Sequence, residues 1–363
     1  MDNSSFTQMR IMETANSFRK LYYIYRDKQN ENVIGEQMLE TANVLDEILG
    51  MDREVEELDR EKMSKIKRIL KNNGILLDKI RLFRKRNGRL WIVVIARTIR
   101  NQCVHVNDMA RFLEEYFEIP LMPSEGTRTY ISGRGGEVIF EESPEFFTMT
   151  GVCAIGKENS RISGDSYSCI NNQGGKSLVC ICDGMGTGID AARTSNAVVE
   201  MLEQFFEIGF SEATGVRLVN WAMAAKSEDN PFTLDLAVLD LYEGKYSTLK
   251  FGAMASYIKR GNQVWTIRPS SLPAGVFENA LPDVAEYDVR DGDYVIMVSD
   301  GVMDVLPFFD KELQMANIIE KLPRCNPKLM AEILMEEVTF FMGEEFKDDM
   351  TVVVLGVWKH HER

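Results

Sequence analysis

The apolar run Ser177-Leu-Val-Cys-Ile-Cys182 closes on Asp183-Gly184-Met185-Gly186-Thr187-Gly188, and a helical pattern opens near Asp190. A run of this length ending in glycine reads as a buried strand, whose successive side chains point to opposite faces. Only an end position frees a carboxylate to meet an ion, and Asp183 stands at one. The arrangement recurs along the chain. Tyr294-Val-Ile-Met-Val-Ser299 runs into Asp300-Gly301, Asp348-Asp349 precede Thr351-Val-Val-Val-Leu355, and Gly164-Asp165-Ser166 precede the short strand Tyr167 to Ile170. One Asp-Gly is an ordinary turn. Several with strand flanks, and no basic residue beside them, point to converging strand ends.

Converging aspartates repel one another unless a cation sits between them. An oxygen-only donor set suits magnesium or manganese, and magnesium keeps several waters, so few protein ligands suffice. The three histidines, His105, His360 and His361, lie away from these motifs, and neither a nucleophile elbow nor a Cys-x5-Arg signature is present. A hard cation held by strand-end carboxylates, rather than a histidine, thiolate or activated protein nucleophile, is therefore the chemistry expected.

Gly164-Asp-Ser-Tyr-Ser168, Asp183-Gly-Met-Gly186, Thr233-Leu-Asp-Leu236, Ser271-Leu-Pro-Ala-Gly275, Ser299-Asp-Gly301 and Asp348-Asp-Met-Thr351 follow one another in the order of the stage II sporulation protein E phosphatases. The chain resembles that family, a branch of the metal-dependent, type 2C serine/threonine phosphatases, from about Phe146 to Trp358. The resemblance implies an α/β/β/α sandwich with two manganese or magnesium ions at one edge of its two sheets. It implies that Asp183 bridges both ions, that the Gly184 carbonyl binds one of them, that Asp165 serves the second ion, and that Asp300 with Asp348 serves the first. Asp348 is the ligand taken from Asp348-Asp349, ahead of Asp349. The implied substrate is phosphoserine or phosphothreonine on a small regulatory protein akin to an anti-sigma-factor antagonist. Two departures from eukaryotic relatives stand out: Met185 replaces a histidine, and Gly164 replaces a glutamate. Arg161 is the nearest phosphate-binding candidate and is left unassigned. A non-catalytic signalling scaffold, binding partners through the helical and basic amino-terminal region, is the alternative.

The net charge of −14 disfavours general nucleic-acid binding, yet it is unevenly spread. From Arg60 to Arg100 there are fourteen Lys and Arg against two acids, so this stretch is +12 and the remainder −26. Arg84-Lys85-Arg86, beside an expected Asn87-Gly88 hairpin turn, is the candidate contact for an acidic surface, within the chain or across a homodimer. The six scattered cysteines show neither zinc spacing nor a disulfide framework. With no signal pattern and no apolar run near the ~20 residues a membrane helix needs, a cytoplasmic protein without a transmembrane segment is expected.

Three regions are expected: a helical regulatory segment over 1–74, a small α+β regulatory domain over 75–145 and the phosphatase domain over 146–363. Helical spacing runs through 4–49 and again from Val55 to Asn72-Asn73-Gly74. Asn107 is the expected cap of a helix bearing Met109, Phe112 and Leu113. Beyond Phe146 the strands cluster rather than alternate strictly with helices, which argues for α+β layers instead of a doubly wound parallel sheet.

Overall fold

The computed structural model describes residues 3–26, 33–51, 54–56, 58–84, 89–99, 102–124, 126–157, 163–173, 175–185, 188–225, 231–277, 280–307, 309–341 and 348–360. Lys85, Arg86, Asn87, Gly88, Arg161, Gly186 and Thr187 lie outside them. The chain divides into two compact units, one of Met1–Ile24 with Thr41–Ser143 and one of Tyr25–Glu40 with Pro144–Arg363.

In chain order the first stretch carries α1 (Asn3–Arg26), α2 (Val33–Met51), β1 (Glu54–Glu56), α3 (Arg60–Asn72), β2 (Ile75–Arg84), β3 (Leu90–Thr98), β4 (Val104–His105), α4 (Val106–Phe117), β5 (Leu121–Pro123), β6 (Tyr130–Ile131) and β7 (Gly136–Glu142). A sheet of order β1-β2-β3-β7-β5 forms the first unit's floor. Ile66 and Leu70, one helical turn apart on α3, share a single apolar cluster with Ile75, Ile80, Ile92 and Val94 of the sheet and with Met109 and Leu113 of α4. The core therefore runs without a break across Gly74, where the sequence suggested a division. Helix α4 starts earlier than its composition suggested. Its N-cap is His105, whose Nδ1 accepts from the Asn107 N–H at 3.1 Å, because the β4–β6 pairing fixes His105 in extended backbone.

The second unit continues with β8 (Phe146–Ile155), β9 (Asp165–Gln173), β10 (Lys176–Gly184), α5 (Ile189–Glu207), α6 (Glu212–Ala224), β11 (Phe232–Asp240), β12 (Lys245–Phe251), β13 (Ser256–Arg260), β14 (Gln263–Ile267), β15 (Asp283–Asp288), β16 (Asp293–Val298), α7 (Asp300–Asp304), α8 (Lys311–Lys321), α9 (Pro327–Thr339) and β17 (Met350–Lys359). Two antiparallel sheets form, of order β15-β12-β11-β10-β9 and β14-β13-β16-β17-β8. Strand alternation then sorts the side chains into layers. Val179, Ile181, Ala237 and Leu239 of one sheet meet Val295, Met297, Val353 and Leu355 of the other. The opposite faces pack outward: Cys180, Leu234 and Leu236 against Val198 and Leu202 of α5 and Val219 of α6, and Ile296, Val352 and Val354 against Met315 of α8 and Leu334 of α9. The result is the expected α/β/β/α sandwich. Strand β17 reads as an unbroken apolar run because both its faces are covered, and each such valine contributes about 1.5–3 kcal/mol of burial.

Candidate active site

The two sheets each bring a pair of neighbouring strands to the same end of the sandwich. In one sheet Asp165, the first residue of β9, is the register partner of Asp183, next to last in β10. In the other, β16 and β17 are paired up to Val298 and Val352, and Asp300 follows the first strand while Asp348-Asp349 precede the second. The four expected strand-end positions are thus brought together, and backbone contacts stitch them. Asp349 Oδ1 accepts from the Lys157 N–H at 2.8 Å and its Oδ2 from the Gly164 N–H at 2.6 Å, which ties the last motif to the segment carrying Asp165. A Cβ on Gly164 would lie 3.3 Å from Asp349 Oδ2 and 3.7 Å from Asp183 Oδ1, so this glycine is the floor on which the two motifs meet. Gly184 is equally constrained, since a Cβ there would stand 2.3 Å from the Ala191 carbonyl of α5. The turn at Asp183 is thereby held against the first turn of that helix.

The electrostatics record the crowding. Burial pushes the Asp183 carboxyl up to about 8, with Asp165, Asp300, Asp348 and Asp349 adding to the rise. Burial likewise takes Asp165 up to about 7, against hydroxyl hydrogen bonds from Thr351 and Ser299 that hold it down. Asp300 is raised by burial and then by Asp348. Asp165 Oδ2 is buried without a hydrogen-bond partner. Among the described residues no three His, Cys, Asp or Glu side chains already close on a single ion. An orphaned buried oxygen, carboxyls that raise one another and an all-oxygen donor set nevertheless fit a hard divalent cation.

Some roles were not visible in the sequence. Ser299 and Thr351 are motif residues to which the sequence assigned no task; here the Ser299 hydroxyl accepts the Thr351 N–H at 2.9 Å and donates to the Asp349 carbonyl at 3.5 Å, and the two hydroxyls moderate the rise at Asp165. Hydroxyl residues flanking strand-end aspartates are the signal that could have found them. Asp304 pairs with Lys311 at 2.7 Å, which is the role of a solvated helix charge. Met185 is exposed just after Gly184, where β10 ends. Arg84 ends β2 in the first unit, and Cys180 and Cys182 are buried in β10 as small apolar side chains.

The family model for stage II sporulation protein E (SpoIIE) matches residues 173–358, just over half of the chain. The chain belongs to the SpoIIE family. SpoIIE of Priestia megaterium is 30% identical over 335 residues, covering 90% of this chain and 56% of the relative. SpoIIE of Bacillus subtilis (strain 168) is 33% identical over 222 residues, covering 61% of this chain and 27% of the relative. This SpoIIE-family chain therefore spans about half the length of one curated relative and about a quarter of the other. The solved structure of the PP2C phosphatase domain and a fragment of the regulatory domain of B. subtilis SpoIIE matches with a TM-score of 0.62 at 27% identity, over 91% of this chain and 96% of that one. The second unit is a SpoIIE-type PP2C domain, the fold of a metal-dependent protein serine/threonine phosphatase. No described helix is long and apolar enough to cross a membrane.

Proposed function

We propose that this chain hydrolyses phosphoserine or phosphothreonine on a small regulatory protein akin to an anti-sigma-factor antagonist, using two manganese or magnesium ions. The observation that carries the reading is the delivery of two aspartates from one sheet and three from the other to one end of the sandwich, where Asp183 is raised to about 8 by burial and by its four neighbours. Asp183 and the Gly184 carbonyl, with Asp165 on one side and Asp300 and Asp348 on the other, are the groups that would hold the ions. Bound divalent cations neutralise the phosphoryl oxygens and lower the pKa of the attacking water.

This chain's own residues do the positioning. Asp349 spends both its oxygens on backbone N–H groups, which supports Asp348 as the ligand of the pair. The described end of β17 places His360 beside Phe147, at the other end of the strand from Asp348 and Asp349. Arg84, Lys85 and Arg86 are the proposed contact for an acidic surface, in the same chain or a second copy.

Phosphate release from a serine-phosphorylated anti-sigma-factor antagonist tests the whole reading. Release with manganese and none with chelator is expected. Turnover of a small aryl phosphate with the phosphoprotein left intact would remove the substrate assignment while keeping the enzyme class.

A further inference from the structure

Between the two sheets the apolar layer is interrupted by a fully buried pair of charges. Asp235 of β11 and Lys250 of β12 are strand partners, 2% and 1% exposed, and form an ion pair through Lys250 Nζ and Asp235 Oδ2. The ammonium also donates to Ser256 Oγ at 2.6 Å and to the Met254 carbonyl at 3.0 Å, while the Ser256 hydroxyl donates to the same Asp235 oxygen. An ammonium has three N–H donors, and here all three are taken.

Ser256 opens β13, which belongs to the other sheet. The cluster therefore joins the two sheets, and it does so beside the strands that carry the aspartates. Asp235 pairs with Ile181, two residues before Asp183 on β10. Tyr257, next to Ser256, pairs with Ile296, four residues before Asp300 on β16.

Stability alone does not account for these charges. Burying an ion pair costs several kcal/mol per ion in desolvation, and apolar residues of like volume often hold a core as well or better. Asp235 Oδ1 and Thr248 Oγ1, on the same inner face, are also buried without partners. What the charges add over an apolar contact is direction, because the three ammonium donors and the Asp235 Oδ2 acceptor meet at one spacing of the sheets only.

We propose that the Asp235–Lys250–Ser256 cluster is a clasp that sets the spacing of the two sheets and thereby the affinity of the metal centre. One sheet supplies Asp165 and Asp183 and the other Asp300, Asp348 and Asp349, so sheet spacing sets how far apart the two sets of carboxylates stand. The charges that act on Asp183 are Asp165, Asp300, Asp348 and Asp349, whereas Lys250 and Asp235 neutralise each other. The clasp thus acts through position rather than through its field. Lys250 is a positioning residue, and the inference rests on the metal-centre reading above.

The test replaces both charges at once, Asp235→Leu with Lys250→Met, and separately removes one hydroxyl, Ser256→Ala. Manganese uptake is measured by titration calorimetry without substrate, next to melting temperature and the manganese dependence of aryl phosphate turnover. The double variant is expected to melt no lower than the parent yet to need about tenfold more manganese in both titrations, with turnover recovered at saturating metal. Ser256→Ala is expected to shift half-saturation about threefold in the same direction, and it carries the test if the double variant does not fold. A half-saturation unchanged in Ser256→Ala, or unchanged in a folded double variant, overturns the clasp. A parent chain that takes up no manganese overturns the metal-centre reading itself and the clasp with it.

Discussion

Asp183 and Asp165 stand directly opposite each other on neighbouring antiparallel strands, two like charges where a strand pair favours opposite ones. Asp165 adds to the rise that burial causes at Asp183, and Asp165 Oδ2 has no hydrogen-bond partner to compensate. Asp183→Asn is therefore expected to raise the melting temperature of the metal-free protein, by about 2–4 °C for each kcal/mol of repulsion relieved, while nearly abolishing phosphatase activity. Differential scanning calorimetry beside an aryl phosphate assay checks both arms. A variant that melts lower than the parent without metal would contradict the account of this pair.

The same pair sets a pH dependence. Free carboxyls titrate near 4, whereas Asp165 and Asp183 are raised to about 7 and about 8 in the fold. Between those values the folded state holds protons that the unfolded chain has released, so these groups lower stability as pH rises from about 4 to about 8. Metal-free protein is expected to lose melting temperature over that window relative to Asp183→Asn. Manganese uptake displaces the protons and is expected to tighten as pH rises through the same range. Proton release measured in two buffers of different ionisation enthalpy reads it directly.

The last motif separates two neighbouring aspartates by task. Asp348→Ala is expected to nearly abolish activity with little change in fold. Asp349→Ala leaves the Lys157 and Gly164 N–H groups without their acceptor and is expected to lower stability by about 1–3 kcal/mol, seen as an earlier denaturant midpoint. An inactive, stable Asp349→Ala beside an active Asp348→Ala would reverse the assignment.

Gly301 sits where the two strands of the second sheet deliver their aspartates. A Cβ there would lie 2.1 Å from the Asp349 carbonyl and 3.3 Å from Asp348 Cβ. Gly301→Ala must push the last motif away, with an expected cost of about 1–3 kcal/mol in stability and a raised manganese requirement. A manganese titration equal to that of the parent would show that the motif tolerates the displacement.

Much of this site was legible because its carriers are apolar runs that stop at Asp-Gly or start after Asp-Asp. Such runs mark buried strands without help from distant residues, and β10, β16 and β17 follow them closely. The tethers were not legible. Asp349 reaches Lys157 and Gly164 across almost two hundred residues, and the Lys250–Asp235 pair depends on a strand register that no local pattern encodes. Short strands such as β4 and β6 carry too few residues for a period, which is why residue type at Asn107 pointed to the wrong cap while His105, held by pairing, took the role. Met185, exposed on the turn, is the visible trace of the departure from the histidine-bearing relatives.

The basic stretch makes a separate prediction. Replacing Arg84, Lys85 and Arg86 together by Gln is expected to change basal activity or dimer affinity in a salt-dependent way, since exposed charges are screened over about 10 Å at 0.1 M salt. Sedimentation and activity assays at low and high salt check it. Loss of vesicle or nucleic-acid binding alone, with activity and oligomeric state untouched, would assign the stretch to attachment instead.

The central claim is that aspartates from two sheets hold the ions of a phosphatase, and phosphate release from an aryl phosphate, titrated with manganese, tests it most directly. The parent chain is expected to turn over only with manganese or magnesium, to stop on addition of chelator and to resume when metal is restored, while Asp183→Asn stays inactive at every metal concentration. Turnover that persists in chelator, or an Asp183→Asn variant with the parent's metal dependence, would contradict it.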